Sequence, residues 1–115
     1  ANNQDKKDIS GVFYNRLKQG MPLQSDPTYK YAAFLKNEAP SPAIDSPYNT
    51  YKVNGLPPGP ISNVSKNALQ AVASPTKSDY LYFVSGDDNV TRFSKTLQEH
   101  EALVKQYCIK KCATY

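Results

Sequence analysis

One segment in the middle of the chain, residues 56–60, limits the possible folds more than any other. Its sequence Leu-Pro-Pro-Gly-Pro holds three of the nine prolines in the 115-residue chain. Each proline lacks a backbone N–H and has a fixed φ, so neither a helix nor an inner strand can run through this segment. We predict a stiff loop, which could form the wall of a groove at low entropic cost or serve as a plain connector.

Apolar spacing and helix-ending residues predict four helices around this loop. In the first, apolar residues recur at helical spacing from Ile9 to Leu17, and Gly20 follows the helix end. In the last, Thr96 and Glu99 have the spacing of a capping box. The four predicted helices are residues 5–18, 27–35, 65–73 and 97–108.

Three segments are rich in strand-forming residues, namely 48–53, 79–84 and 90–93. The turn sequence Gly-Asp-Asp-Asn at residues 86–89 would join the last two segments as a hairpin. In the first segment, alternation would place Asn49 and Tyr51 on one face and Tyr48 on the other. We predict an α+β fold, in which a small, mostly antiparallel sheet of about three strands packs with about four helices.

Charge and metal-binding residues exclude two classes of function. The net charge is +4, but the 14 Lys and Arg residues are scattered and no nucleic-acid-binding motif accompanies them, so we predict no nucleic-acid partner. Cys108 and Cys112 lack the usual zinc spacing, and His100 lies too far from Cys108 along the predicted helix, so we predict no metal site. We favour free thiols over a disulfide, which would require the last helix to fray.

Five strings of residues, in a fixed order, are more specific than any of these patterns. They are VFYNRL at 12–17, GMPLQSDPT at 20–28, YNTY at 48–51, GLPPGPI at 55–61 and YLYFV at 80–84. As a set they resemble the MltG (YceG-like) family of endolytic murein transglycosylases, for which an older label is aminodeoxychorismate lyase-like. The resemblance covers about residues 8 to 105, nearly the whole chain.

The resemblance implies a bacterial enzyme anchored in the membrane and acting on its extracytoplasmic face. It implies cleavage of the β-1,4 bond between N-acetylmuramic acid and N-acetylglucosamine in nascent glycan strands, leaving a 1,6-anhydromuramyl end. Peptidoglycan strands would be the substrate, cell-wall synthesis proteins could be partners, and membrane contact would need a segment that this chain lacks. Residues 1–107 would then be the C-terminal part of the catalytic domain, and residues 108–115 a tail.

The older label would instead imply an enzyme that uses pyridoxal phosphate. Such an enzyme needs a lysine that forms a Schiff base and a loop that binds the phosphate group. The chain has only five glycines and shows no such loop, so we predict that it uses no cofactor.

The cleavage chemistry requires a carboxyl group. It must protonate the glycosidic oxygen and then accept the proton of the C6 hydroxyl as the anhydro ring closes. In the family this group is a glutamate just before the helix that carries Asn-Arg-Leu. By resemblance it would lie just upstream of Ala1, so this chain alone is expected to be inactive. Within the chain Asp26 is the best candidate acid, although we favour a role in capping the helix that follows.

The resembling strings also supply nine candidate substrate-binding residues. Their polar groups could bind sugar hydroxyls or N-acetyl groups, while their proline and glycine would shape a groove. The candidates are Asn15, Gln24, Asp26, Thr28, Tyr48, Asn49, Tyr51, Pro57 and Gly59. The sequence leaves one alternative open, in which the chain is a non-catalytic module that binds glycan or docks a partner protein.

Overall fold

The protein, described here by a computed structural model for residues 3–61 and 66–114, consists of two compact units. One unit combines residues 1–15 with residues 65–115, and the other is residues 16–64. The elements are α1 (Asn3–Gln19), α2 (Asp26–Lys36), α3 (Lys66–Ala73), β1 (Tyr82–Ser85), β2 (Thr91–Ser94), α4 (Leu97–Tyr107) and a 3-10 helix (Lys111–Thr114). The four predicted helices are confirmed, and the predicted start of the third, Ser65, lies outside the described residues.

The predicted hairpin forms the sheet of the first unit. Strands β1 and β2 are antiparallel, with Tyr82 opposite Ser94 and Ser85 opposite Thr91. Helix α4 packs against both strands. It begins as the capping box predicts, because the Thr96 hydroxyl oxygen accepts a hydrogen bond from the Glu99 N–H at 3.1 Å.

The N-terminal part of α1 contacts the segment that follows α3. The backbone N–H of Thr76 donates to the carbonyl oxygen of Lys7 at 3.1 Å. This approach requires a glycine on the helix, because a Cβ atom added to Gly11 would collide with the Thr76 carbonyl oxygen. Further along, the Tyr14 hydroxyl donates to the Val72 carbonyl oxygen at 3.2 Å. Both contacts bind α1 to the chain that leads into the hairpin.

Cys108 and Cys112 form a disulfide, with their Cα atoms 5.4 Å apart, so the prediction of free thiols is wrong. The physical reason is that α4 ends at Tyr107. Both cysteines therefore lie beyond the regular helix whose geometry disfavours the bond, with Cys112 in the short 3-10 helix. We call residues 107–112, together with the turn at residues 86–89 that they contact, the C-terminal clasp.

The C-terminal clasp is held by one carboxylate in addition to the disulfide. The Asp87 carboxylate accepts hydrogen bonds from the backbone N–H groups of Ile109, Lys110 and Lys111, at 3.0 to 3.1 Å. In return, the Asp87 N–H donates to the Tyr107 carbonyl oxygen at 2.7 Å. These bonds satisfy backbone donors at the start of the 3-10 helix, which no helical carbonyl could reach.

The second unit is built around α2 and has a small apolar core. Tyr29, Ala32 and Ala33 of α2 pack with Ile44, and two half-buried tyrosines lie against this cluster. The helix ends at Asn37, which has a positive φ of 55°. Its N–H donates to the Phe34 carbonyl and the next N–H donates to the Ala33 carbonyl, which is the hydrogen-bond pattern of a Schellman motif.

Residues 48–53 are a series of turns, so the prediction of a strand there is wrong. The Asn49 N–H donates to the Ser46 carbonyl, and the Asn49 carbonyl accepts from the Lys52 and Val53 N–H groups. These local bonds use the donors and acceptors that a strand would offer to a neighbour. Two strands rather than about three are therefore found in the described ranges, and the α+β fold class is confirmed.

No helix in residues 3–61 and 66–114 has the length and apolar character needed to span a bilayer.

Candidate functional site

Three buried polar residues of the second unit hold its turns together. Thr28, Asn49 and Thr50 have 4%, 0% and 0% of their surface exposed. A buried polar group is tolerated only when its hydrogen bonds are satisfied, and these three meet that condition through contacts with one another or with the backbone. We call these residues and their hydrogen bonds the polar lattice.

The two threonines form a fully used hydroxyl pair. The Thr28 hydroxyl donates to the Ser25 carbonyl at 2.5 Å, and its oxygen accepts from the Thr50 N–H at 3.1 Å. Because Thr28 has already used its one proton, the 2.8 Å contact between the two hydroxyls requires Thr50 to be the donor. The Thr50 oxygen in turn accepts from the Ser25 N–H at 2.9 Å. The start of α2 is thereby fixed to the turn at residue 50.

Asn49 holds the loop before it and the residue after it. Its amide nitrogen donates to the carbonyl oxygens of Pro42 and Ile44, at 2.9 and 2.8 Å. Its amide oxygen accepts from the Tyr51 N–H at 3.1 Å. With no exposed surface, this side chain cannot contact a substrate unless the unit rearranges. Its position in the structure therefore fits a supporting role, and direct binding by Asn49 and Thr28 remains untested.

Asp26 and Tyr51 form a half-exposed polar pair beside the polar lattice. The Tyr51 hydroxyl donates to Asp26 Oδ1 at 2.5 Å, and the Tyr51 ring lies edge-on against Tyr29 with centroids 5.7 Å apart. Asp26 is the first residue of α2, whose N-cap is Ser25. Ser25 rather than Asp26 therefore occupies the N-cap position, and the Ser25 side chain makes no capping hydrogen bond.

Gln24, one residue before this N-cap, is exposed and has an unusual backbone conformation, with φ at 52°. Its N–H donates to the Thr50 carbonyl at 3.2 Å. The buried guanidinium of Arg16 contacts the same loop, because its Nη1 donates to the Pro22 and Leu23 carbonyls at 3.0 and 3.3 Å. The same nitrogen lies 3.4 Å from the Gln24 side-chain oxygen.

The proline-rich loop borders another aromatic pair. Tyr31 and Tyr48 pack edge to face, with ring centroids 5.1 Å apart. The Tyr48 hydroxyl lies beside Gly59, 3.8 Å from where a Cβ atom would stand, which is ordinary contact distance. Pro57 and Gly59 are half-buried, whereas Leu56 has 72% of its surface exposed. The loop thus presents a mixed apolar and aromatic surface in the second unit.

Asn15 lies apart from this group, in the first unit. Its amide nitrogen donates to the carbonyl oxygens of Ser78 and Tyr80, each at 2.8 Å. Both contacts hold the chain that enters β1. Asn15 is therefore engaged with backbone, and a role in binding substrate remains a prediction without support from its contacts.

Eight of the nine candidates lie in the second unit, and two further residues belong with them. Arg16 and Thr50 lie within the resembling strings but are not among the nine candidates. Thr50 stands between Asn49 and Tyr51, and Arg16 follows Asn15 directly. The signal in the sequence was their place inside specific strings, whereas their hydrogen bonds depend on tertiary contacts that the strings do not reveal.

The carboxylates with shifted pKa values lie in the first unit and are shifted in the direction opposite to that of a general acid. Hydrogen bonds from the backbone of Lys111, Lys110 and Ile109 lower the pKa of Asp87. The side chain of Arg92 lowers the pKa of Asp88 to about 2, through an ion pair at 2.8 Å. A catalytic acid must keep its proton near neutral pH, and these two carboxylates do not.

The described residues contain no group of three or more histidine, cysteine, aspartate or glutamate side chains placed to hold a metal ion.

The chain is similar in sequence and in structure to known proteins of one family. A sequence model of the YceG-like family matches residues 1–106. An endolytic murein transglycosylase of Bacillus subtilis is 46% identical over 93% of this chain, and one of Streptococcus pneumoniae is 38% identical over 93%. A crystal structure of a YceG-like protein of Listeria monocytogenes, 51% identical, superposes with a TM-score of 0.76 over 84% of this chain. The chain spans 31%, 21% and 33% of these three proteins.

Proposed function

The chain belongs to the YceG-like family, and on this premise we propose that it is the glycan-holding part of an endolytic peptidoglycan transglycosylase. The parent enzyme would cleave the β-1,4 bond between N-acetylmuramic acid and N-acetylglucosamine within glycan strands. The products would end in 1,6-anhydromuramic acid, because the C6 hydroxyl of the sugar replaces water as the nucleophile. The curated relatives named endolytic murein transglycosylases support this proposal.

The observation that carries the proposal is the half-exposed Asp26–Tyr51 pair on a buried support. Tyr51 is fixed at its backbone by Asn49 and at its hydroxyl by Asp26. Its flat ring and polar tip are typical of residues that hold sugars, which offer an apolar face and a rim of hydroxyls. Since Tyr51 and Asp26 are held in place before the ligand arrives, binding loses less conformational entropy.

Asp26 acts in this proposal as a hydrogen-bond acceptor for a sugar hydroxyl, not as the general acid. Its Oδ1 accepts a hydrogen bond from the Tyr51 hydroxyl, which holds the carboxyl group in a fixed orientation. In this proposal the general acid is the glutamate that the family resemblance implies, and Asp26 does not replace it.

The disulfide supports an extracytoplasmic location for the parent protein. Disulfides persist in oxidising surroundings such as cell surfaces and are rare where thioredoxin and glutathione keep thiols reduced. The Cys108–Cys112 bond is therefore consistent with action on the wall side of the membrane. We propose that location, together with a membrane anchor outside this chain.

The proposal is tested by incubating purified glycan strands with this chain and, separately, with the longer parent protein. We expect the chain to bind glycan without producing anhydro ends, and the parent to produce them, as measured by mass spectrometry. Binding by the parent without any product would favour the alternative of a non-catalytic module. Absence of glycan binding by both proteins would refute the proposal.

The role of Asp26 is tested in the parent with Asp26→Asn, matched by Asp45→Asn, an exposed carboxylate of the same unit. We expect Asp26→Asn to raise KM about tenfold while kcat stays within a few fold, because a charge-assisted hydrogen bond contributes about 1.5 kcal/mol. The control should leave both constants unchanged. A loss of kcat by several orders of magnitude in Asp26→Asn would instead identify Asp26 as the general acid.

A further inference from the structure

Among the residues that the structure describes, three other than glycine have a positive φ, and one of them is of a type that rarely adopts this conformation. Asn37 and Asn89 are asparagines, which adopt the left-handed region more readily than other residues. Asn37 ends a helix, and Asn89 lies in the hairpin turn. Gln24 neither ends a helix nor joins two strands, and its side chain gives no such conformational advantage. Residues held in this way cluster at functional sites.

The surrounding contacts fix the direction of the Gln24 side chain. Arg16, which is only 6% exposed, donates towards the amide oxygen of Gln24 while also holding the two carbonyls that precede it. The Thr50 carbonyl holds the Gln24 N–H from the other side. With the oxygen directed at Arg16, the amide nitrogen of the exposed side chain is left as the outward group. Within residues 3–61 and 66–114, no hydrogen-bond acceptor for that nitrogen is found.

From this geometry we propose that Arg16 is a positioning residue that presents the Gln24 amide nitrogen as a donor to the acetamido carbonyl oxygen of a glycan sugar. The inference rests on the proposed function and adds a specific contact to it. The acetamido carbonyl is the strongest neutral acceptor on such a sugar and occurs on every residue of an N-acetylated strand. A fixed donor at this point would discriminate N-acetylated glycan from de-N-acetylated glycan.

Two substitutions at residue 24 separate the donor role from a purely structural one. Gln24→Glu keeps an oxygen for Arg16 but replaces the outward donor with an acceptor. Gln24→Met has a similar size and removes both polar groups. Loss of a donor should weaken binding of a GlcNAc–MurNAc tetrasaccharide about fivefold in both variants. If Gln24 served only to bind Arg16, Gln24→Glu would bind as tightly as the unchanged protein.

The ligand supplies the second half of the test. We would titrate the unchanged chain and the Gln24→Met variant with the N-acetylated tetrasaccharide and with its de-N-acetylated form. These four affinities form a double-mutant-type cycle. We expect the fivefold effect of Gln24→Met on the acetylated ligand to disappear on the de-N-acetylated one. The ¹⁵N–¹H signals of the Gln24 side-chain amide should also shift when acetylated ligand is added. Neither readout would respond to a residue that merely supports the loop.

Arg16 is tested through Arg16→Lys, which keeps the charge but cannot reach several acceptors in a fixed geometry. We expect weaker binding of the acetylated ligand and little change for the de-N-acetylated one, with the fold retained by circular dichroism. Equal effects of Gln24→Met on both ligands would overturn the proposed contact while leaving the proposed function intact. If the unchanged protein bound neither ligand, the proposed function and the contact would both be wrong.

Discussion

The second unit and the C-terminal clasp both hold irregular backbone in place, but they use different chemistry. In the second unit, buried neutral side chains of the polar lattice donate to and accept from the backbone. In the clasp, the exposed carboxylate of Asp87 and the Cys108–Cys112 disulfide do this work. Both regions contain a residue other than glycine with a positive φ, so both depend on such support.

This difference in chemistry predicts how each region should respond to acid and to reductant. Amide and hydroxyl groups do not titrate in the ordinary range and are not reduced by thiols, so the polar lattice should be insensitive to acid and to reductant. The clasp has a carboxylate and a disulfide, so it should respond to both. A candidate sugar site supported by the lattice would then keep its shape under conditions that loosen the C-terminal end.

The largest expected effect is that of Asn49→Ala on the second unit. The change leaves the half-buried Pro42 carbonyl and the buried Ile44 carbonyl without the side-chain donor, and it removes the acceptor of the Tyr51 N–H. At about 1–3 kcal/mol for each buried group left unpaired, we expect the free energy of unfolding to fall by about 3 kcal/mol. Urea denaturation followed by circular dichroism measures this change.

The matched control for that experiment is Asn54→Ala, an exposed asparagine of the same unit. It should alter the free energy of unfolding by less than about 0.5 kcal/mol. If Asn49→Ala were equally mild, the polar lattice would not be what holds the turns, and the contrast with the clasp would lose its basis.

The next effect concerns the disulfide of the clasp. Opening so short a loop should lower the free energy of unfolding by about 2 kcal/mol, by the chain-entropy relation. We expect reductant, or Cys112→Ala, to speed hydrogen exchange at the amides of Ile109 and Lys110, whose Asp87 bonds depend on the closed loop. Exchange at the Thr50 amide of the polar lattice should not change. Reductant added to Cys112→Ala is the control and should have no further effect.

These two regions also mark what the sequence could and could not predict. The hairpin and α4 followed from local signals, because a turn sequence and the Thr96–Glu99 spacing act over a few residues. The prediction of a strand at residues 48–53 was wrong because it relied on strand-forming composition. The turns found there depend on hydrogen bonds from the Asn49 side chain to the carbonyls of residues 42 and 44, which composition does not reveal. The disulfide depends on how the chain turns after Tyr107 into the 3-10 helix, and no local signal in the sequence predicts that turn.

The candidate site divides in the same way. The strings identified the right neighbourhood, since Gln24, Asp26 and Tyr51 lie in one unit and are half-buried or exposed. They did not separate these residues from Thr28 and Asn49, which are buried and serve the backbone. Residue type alone cannot make that distinction, because threonine and asparagine suit both roles, and only burial decides between them.

Acid should loosen the clasp and spare the polar lattice. The pKa of Asp88 is lowered from 3.8 to about 2, and that of Asp87 is lowered too, so both carboxylates stabilise the fold when ionised. That contribution is fully present above the unfolded pKa near 4 and is lost as pH falls towards 2. We expect the amide signals of residues 109–111 to broaden or shift across this range, as seen by NMR. Asp87→Asn should show the looser clasp already at pH 7.

Identical acid responses at residue 50 and at residues 109–111 would contradict this assignment. The chain would then unfold as a whole, and no local difference between the two regions would be measurable.

The smallest expected effect compares two left-handed residues of the second unit, Gln24 and Asn37. Glycine relieves the steric cost of a positive φ, about 1–2 kcal/mol, but it gives back about 0.5–1 kcal/mol of backbone entropy. Gln24→Gly should therefore raise the free energy of unfolding by no more than about 1.5 kcal/mol, and Asn37→Gly by less, since asparagine adopts this conformation more readily. Glycan binding should weaken only in Gln24→Gly. A clear loss of stability in Gln24→Gly would mean that the contact with Arg16 outweighs the strain, so that Gln24 would be a structural residue like those of the polar lattice.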